Sequence, residues 1–440
     1  MPFALVIIAL ILLIVLHELG HFLAARAVGV RATKFYVFFP PAIFKRKIGD
    51  VEYGIGAIPA GGFVKLPGMF EPVPAEIAER LKWEYEQLLP LVDSDVRLRL
   101  DAARRTVLHA RDADSIIEPL EEVRTGIADT LLNADDNTSE KDRAVLERAE
   151  RRVEGMLDDA HPKAYWRADL WRRMVVIFAG PLVNLVIAFV VLSVFWWGLS
   201  PHFVVDAPMR LEKVEAASPA ARAGLNEDAR ITGWNGPVEG EGLFELRSRI
   251  ANGTGKAVDV TWTDGAKGAE RSATITPEKL KGEDTPRLGV LLPDDQSKRA
   301  LKVRRDGREV TSLGTGTKVA LREMREITWG NLTRLPRVFF DSEIRQDVGS
   351  VVGIVQIADD VDRAGQFIRY VALISLILAI MNLLPLLPLD GGHLLFGVLE
   401  ALRRKPMPRQ AFERYSLLGI ALVLMLFFIG LDNDITRARG

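Results

Sequence analysis

The first thirty residues constrain this chain most. Residues 3–16 (FALVIIALILLIVL) carry no charge, and the apolar character resumes over 22–30 after a polar break, His17-Glu18-Leu19-Gly20-His21. A helix rises about 1.5 Å per residue, so one of about 25 residues crosses the roughly 30 Å hydrocarbon core of a bilayer. A cleavable leader would show a basic start and a small-residue cleavage site after a shorter apolar core, and neither is visible. The run reads as a retained span.

Three more apolar runs lie at 174–197, 368–387 and 415–431, the last close to the minimum crossing length, which makes four spans. The mean hydropathy of +0.12 is high for a chain with 26% charged residues, so the apolar residues are gathered in blocks. A net charge of -1 across 440 residues argues against a nucleic-acid surface and leaves room for two to three domains. Orientation follows from the basic residues. Arg403, Arg404, Lys405, Arg409 and Arg414 fill a short loop, and Lys163, Arg167, Arg172 and Arg173 abut the second span, so both loops are expected in the cytoplasm. The stretch 200–365 is then external, the amino terminus lies outside, and His17–His21 falls in the cytoplasmic half of the first span. In the external stretch, Val258-Asp259-Val260-Thr261-Trp262 and Ala273-Thr274-Ile275-Thr276 alternate about the turn-former Asp264-Gly265, the pattern of a β-hairpin.

The polar break carries chemistry. On a helix, residues i and i+4 project from one face about 6 Å apart, so His17 and His21 can bind one zinc ion together. Glu18 then lies beside the metal, where it can take a proton from a water that the ion acidifies. An ionisable group near mid-membrane costs about 2.5–3.5 kcal/mol, and metal coordination offsets that cost for a His-Glu-His cluster among Leu and Ile. With no cysteine and six histidines in the chain, any metal falls to His, Asp and Glu. Catalytic zinc takes three protein ligands and keeps an open position. Asp390 is the candidate third ligand: it follows the apolar, proline-broken run Asn382-Leu383-Leu384-Pro385-Leu386-Leu387-Pro388-Leu389 and precedes Gly391-Gly392-His393. Irregular backbone at such depth must be buried in protein or line a wet cavity. His393 reads either as a neighbour of the site or as an interfacial histidine.

Two segments, HELGH at 17–21 and NLLPLLPLDGG at 382–392, together resemble the site-2 protease family of intramembrane metalloproteases. The resemblance implies that His17, His21 and Asp390 bind Zn2+, that Glu18 is the catalytic base, and that Asn382 helps hold the substrate backbone. Phe178-Ala179-Gly180-Pro181-Leu182-Val183-Asn184 resembles the GPxxN opening of the family's second core span. Residues 54–66, with Gly61-Gly62-Phe63-Val64-Lys65, resemble its membrane-associated β-hairpin. Ser218-Pro219-Ala220-Ala221-Arg222-Ala223-Gly224-Leu225 through Ile231-Thr232-Gly233-Trp234-Asn235-Gly236 resembles the carboxylate-loop region of a PDZ domain, as in a single-PDZ bacterial member.

The expected architecture is a polytopic α-helical membrane protein with about four transmembrane helices, a membrane-associated β-hairpin, an extracytoplasmic β-rich PDZ-like domain and a cytoplasmic helical insertion. Its parts are 1–72 (first span and hairpin), 73–165 (charged insertion), 166–199 (second span), 200–295 (PDZ-like), 296–366 (connecting segment) and 367–440 (third and fourth spans). The chain departs from the family in three places. Pro385 and Pro388 stand three apart where the family's prolines stand two apart. Gly349-Ser350-Val351-Val352-Gly353 replaces a Gly-Pro before the third span, and the insertion has no counterpart in the family core. Within that insertion Leu81, Leu88, Val92 and Val96, and then Ile116, Leu120, Val123 and Ile127, recur at helical steps, with a polar break at Asn133-Ala134-Asp135-Asp136-Asn137. A small bundle or helical hairpin follows, serving as a solvated appendage or as a lid beside the active-site mouth.

The expected activity is hydrolysis of peptide bonds in or near transmembrane segments, at an inner (plasma) membrane. The substrates are membrane proteins such as anti-sigma factors or leftover signal peptides. A helical substrate must unwind before it can be cut, and a strand edge in 53–66, with Gly62 and Phe63, can hold it extended by β-augmentation; a plain structural turn is the competing reading. The PDZ-like part reads as a size filter or as a site for a new carboxyl terminus. A catalytically silent membrane scaffold is the alternative for the whole chain, and a metal transporter is a further one. Neither needs Glu18, and no inverted repeat marks a transporter.

Overall fold

The computed structural model describes residues 2–133, 139–199, 201–205, 208–211, 213–227, 229–238, 256–265, 268–279, 286–291, 303–308, 312–341, 345 and 364–439. The break at 134–137 and the 349–353 segment therefore lie outside the described residues. The chain divides into two compact units: one of 1–188, 327–362 and 370–440, and one of 189–326 with 363–369.

The first unit opens with helix α1 (Pro2–Ala27), apolar apart from its polar break and Arg26 in its last turn. Its sides differ. Val6, Leu13, His17, His21, Phe22 and Ala25 are buried, whereas Leu5, Ile8, Leu12 and Leu23 face outward, as expected of a helix with protein on one side and lipid on the other. Strands β1 (Lys34–Ile48) and β2 (Val51–Lys65) follow as an antiparallel hairpin. The hairpin is longer than residues 54–66 suggest, because its first strand carries Lys45-Arg46-Lys47 and two prolines, which hide the strand pattern. Each strand also bends back. Lys34 therefore faces both Glu52 and Lys65, and Val37 faces both Ile55 and Gly62, while 44–48 pairs with 51–55. Residues 62–65 form the outer edge of this curled sheet.

The insertion folds as four helices: α2 (Pro74–Leu88), α3 (Ser94–Leu108), α4 (Ile117–Leu132) and α5 (Glu140–Ala160). The two hydrophobic stripes meet in one core, with Leu81, Leu88, Ile116, Leu120, Val123 and Ile127 all buried. Caps fix two of the helix starts: Asp93 accepts from the Val96 N–H at 2.8 Å and Ser139 from the Asp142 N–H at 3.3 Å. Glu84 and Asp158 place buried acidic groups in the bundle. Glu84 is buried and takes a hydrogen bond from Arg152 at 2.9 Å, and burial pushes its carboxyl above the usual range against the pull of that arginine. The base of the bundle is tied to the segments flanking the hairpin by Arg31 on Asp158 at 3.0 Å and by the Gly68 N–H on Asp159 at 2.9 Å.

Helix α6 (Leu170–Val194) continues through a π-turn to Leu199, giving an apolar candidate span of 30 residues. It lies directly on α1: a Cβ at Gly20 would stand 2.7 Å from the Ala179 carbonyl oxygen. In the second unit, strands β3 (Met209–Arg210), β4 (Ala229–Trp234), β5 (Val258–Asp264) and β6 (Glu270–Ile275) form an antiparallel sheet in the order β3-β4-β5-β6, around a core of Ile231, Val260 and Trp262. The β5-β6 turn passes through Gly265 at φ +72, a left-handed value that favours glycine. Beyond the sheet, α7 (Leu313–Arg334) is a 22-residue helix inside the expected connecting segment.

Three helices complete the chain: α8 (Ala364–Asn382), α9 (Asp390–Arg403) and α10 (Arg409–Arg439). Ala4–Ala27, Leu170–Leu199 and Arg409–Ile435 are long and apolar enough to cross a membrane, and 367–382 is a shorter apolar helix. The expected third run, 368–387, stops at Asn382 because Pro385 and Pro388 supply no N–H to continue it. The fourth is longer than expected, since α10 begins inside the basic stretch and narrows the 402–414 loop. A Cβ at Gly419 would collide with the Leu387 carbonyl, and Tyr415 donates to the Pro385 carbonyl at 2.6 Å, so α10 braces the irregular segment that leads to Asp390.

Candidate active site

One turn of α1 places the His17 and His21 rings with centroids 4.8 Å apart and their Nε2 atoms 3.2 Å apart. Asp390, the first residue of α9, brings Oδ2 to 3.1 Å from His17 Nε2 and 3.3 Å from His21 Nε2. A tetrahedron with edges of this size has its centre about 2.0 Å from each corner, which is the bond length zinc takes to nitrogen and carboxylate oxygen. Residues 373 positions apart in the chain, 17 and 390, thus share one point.

The hydrogen-bonding pattern leaves room for a cation at that point. The His21 Nδ1–H donates to the Val176 carbonyl at 2.8 Å, which leaves a bare lone pair on Nε2. Asp390 Oδ2 is buried and meets only the two imidazole nitrogens. A single positive ion between these three atoms, all within 3.3 Å of one another, would satisfy them together, whereas a proton on one imidazole satisfies only one pair. For His17, the side chain of Asn184 decides. Asn184 is fully buried, its amide nitrogen lies 3.3 Å from His17 Nδ1, and its Oδ1 has no donor. Turning the amide over pairs Oδ1 with the Nδ1–H and frees Nε2 for a metal. The donor set, two imidazoles and one carboxylate, suits zinc.

Space for the ion comes from Gly180. A Cβ there would stand 2.8 Å from His17 Nε2 and closer still to His21 Nε2, so any side chain at 180 would enter the coordination sphere. Gly180 and Asn184 are four apart on α6 and share one face of it. Their pairing in the GPxxN segment is a signal for both roles, which reading the histidines alone does not supply.

Glu18 is half-buried and follows His17 on the helix. Gly62, on the outer edge of the curled sheet, is packed against it: a Cβ at 62 would meet Glu18 Cγ at 2.6 Å. The carboxylate therefore lies between the metal-ligand cluster and the strand edge. Phe63 instead joins Tyr36 and Phe39 in an aromatic group, with centroids 6.4 and 6.2 Å away. Asn382 ends α8, half-buried, and among the described residues no hydrogen bond joins it to the cluster. His393 turns away, with its ring 5.1 Å from that of Phe412, and lines a cavity of about 290 Å³ with Tyr165, Arg173 and Glu400. Arg173 and Glu400 form an ion pair that holds α9 against α6.

Comparison with known proteins accords with this geometry. The chain is 27% identical over 435 residues to the "Regulator of sigma-W protease RasP" of Bacillus subtilis, an alignment covering 97% of this chain and 96% of that one. It is 28% identical over 438 residues to the "Zinc metalloprotease RasP" of Geobacillus kaustophilus, covering 97% and 95%. It is 27% identical over 442 residues to a "Putative zinc metalloprotease" of Nostoc, covering 98% and 95%. The model of peptidase family M50 matches residues 5–426, a stretch that holds the His-Glu-x-x-His helix, Gly180, Asn184 and Asp390 alike. The resemblance to site-2 proteases read from two short segments thus extends over nearly the whole chain, which belongs to peptidase family M50.

Proposed function

We propose that this chain is an intramembrane zinc metalloprotease that hydrolyses peptide bonds in or near the transmembrane segments of membrane proteins. The observation that carries the reading is the meeting of three lone pairs, from His17, His21 and Asp390, beside a carboxylate that adjoins an open strand edge. When bound, zinc polarises the scissile carbonyl and acidifies a water molecule. Glu18 takes the water proton and delivers it to the leaving amine. Asn184 and the Val176 carbonyl hold the two imidazoles in the tautomers that present Nε2.

The substrate has to be extended first, because a helix hides its peptide bonds in its own hydrogen bonds. The edge at 62–65 accepts an extended segment by strand addition, which narrows the expected edge from 53–66 to these four residues. Gly62 allows the added strand to run close to Glu18, and Phe63 supports the sheet from its aromatic face. Asn382 is assigned to the substrate backbone on the strength of the family resemblance.

The basic residues at 163–173 and 403–414 favour a cytoplasmic position for the insertion and an external one for 200–295, which we read as PDZ-like from its Ser218–Leu225 loop and four-stranded sheet. The membrane is then an inner or plasma membrane, crossed a fourth time by the segment that contains 367–382. The name of the Bacillus subtilis relative makes a membrane-anchored regulator of a sigma factor the first substrate class to try.

The test is the Glu18→Gln protein, purified in detergent. It is expected to keep stoichiometric zinc and lose cleavage of a transmembrane substrate. Cleavage at the rate of the unaltered protein would refute the mechanism, and a chain that binds no zinc in either form would favour a silent scaffold.

A further inference from the structure

We propose that a second cavity, of about 240 Å³ at the carboxyl end of α1, binds the phosphate group of an anionic ligand. It is lined by Arg26, Arg31, His161 and Lys163, by the backbone around Gly29 and Val30, and by a single carboxylate, Asp50.

The four basic groups are held to different degrees. Arg26 and Asp50 pair at 3.7 Å with side chains 51% and 63% exposed, a long surface contact that a stronger anion displaces easily. Arg31 reaches Asp158 with one terminal nitrogen, while its Nε is buried and receives no partner. Lys163 is exposed, and among the described residues no carboxylate lies within ion-pair distance of it. His161 accepts the Lys163 N–H on Nδ1 at 3.0 Å, so in its neutral form the proton sits on Nε2 as a donor. A guanidinium fork, an ammonium and an imidazole N–H around one cavity match the oxygens of a phosphate.

Position points the same way. Arg26 lies in the last turn of a candidate span that ends at Ala27, and Lys163 lies seven residues before the next span begins at Leu170. The two segments are bonded to each other, Arg31 N–H on the Lys163 carbonyl at 2.8 Å. Trp171 is exposed in the first turn of that second span, the usual station of tryptophan at the headgroup level. Basic pockets between helix ends at this depth are where lipid phosphates are met, although a free phosphate would satisfy the same groups.

The test uses the full-length protein in zwitterionic detergent. Thermal stability is measured on titration with phosphatidylglycerol, with phosphatidylcholine, and with inorganic phosphate. Two double variants are compared: Arg26→Gln with Lys163→Gln in the cavity, and Arg404→Gln with Lys405→Gln outside it. Phosphatidylglycerol is expected to raise the melting temperature, with an apparent affinity weakened about thirty-fold in the cavity variant and unchanged in the other. The same pattern with inorganic phosphate would identify a soluble anion as the ligand. Equal weakening in both variants, or no effect of either anionic probe on the unaltered protein, would overturn the proposal. Melting of the unliganded variants at the unaltered temperature checks that the fold is intact.

Discussion

Substituting Gly180 by Ala adds one methyl group at the point where the proposed metal ligands meet. Built on the backbone, that carbon stands 2.8 Å from His17 Nε2, whereas a carbon rests against an unbonded heavy atom at about 3.5 Å. The shortfall of about 0.7 Å, and more at His21, exceeds the roughly 0.2 Å within which metal bonds hold their length. One imidazole must therefore leave. Losing an outer partner of a ligand already costs 10–100-fold in metal affinity as an order of magnitude, so losing a ligand should cost at least about 100-fold, or about 2.7 kcal/mol. Intrinsic helix propensity works in the other direction, since Ala improves on Gly by about 1 kcal/mol inside a helix, and the melting temperature of the variant separates loss of zinc from loss of fold. Zinc content of the purified protein, with affinity from chelator competition, reads the effect. Gly198→Ala is the control, because nothing lies within 4 Å of a Cβ there. A Gly180→Ala protein that binds zinc within about threefold of the unaltered affinity would refute the geometry of the site.

The other expectations follow from single contacts. Asn184→Ala should weaken zinc binding by about 10–100-fold, and Asn184→Asp should restore most of it by keeping an acceptor for the His17 Nδ1–H; equal losses in both would refute the amide orientation. Leu120→Ala, at the centre of the insertion core, should cost 2–5 kcal/mol as an order of magnitude, seen as lost hydrogen-exchange protection across α2–α5 with zinc content unchanged. Burial and then Arg31 hold the His161 imidazole below its ordinary range, with Lys163 adding to this while Asp158 and Asp50 oppose it. Its contribution to stability is therefore complete above the unfolded value of 6.5 and is lost as pH falls through the lower folded value, so the melting temperature should drop less on acidification in His161→Gln than in the unaltered protein. A reporter fused near Gly253 should be active outside the cytoplasm and one near Pro406 inside, and the reverse would refute the orientation.

The elements most legible in the sequence were those whose physics is periodic and local. The apolar run before His17 reports a helix apolar on every side, with Leu5, Ile8 and Leu12 exposed, and the two stripes through Leu81–Val96 and Ile116–Ile127 each report one face of a helix, which is buried. The turn at Asp264-Gly265 reports itself through one glycine. Legibility failed where a strand's identity depends on partners rather than on its own pattern. β1 mixes prolines and lysines because it is curled and largely exposed, and its pairing makes it a strand: 34–37 with both 52–55 and 62–65, and 44–48 with 51–55. Helix α7 was missed for a different reason: Arg and Glu are spread along it, and only Gly316 and Ala320 of its side are buried, so its apolar stripe is thin.

For the site, the difference between what was legible and what was not is a difference between ligands and the space around them. Two histidines four apart announce a metal because their spacing alone brings them together, and Asp390 announces itself by the expense of a carboxylate among prolines and leucines. Room for an ion is a relation between helices, so no single residue of α1 or α9 carries it. It is written on α6 as an absence, a glycine at 180, and the tautomer that turns His17 toward the metal is written four residues later as Asn184. A second histidine-glutamate-histidine helix packed on a helix with a side chain at that position could bring the same three donors near one another and still hold no metal. The GPxxN segment is therefore as diagnostic of a working centre as the ligands are, and a chain that kept HELGH and DGG but carried a larger residue in place of Gly180 should be read as a scaffold rather than a protease.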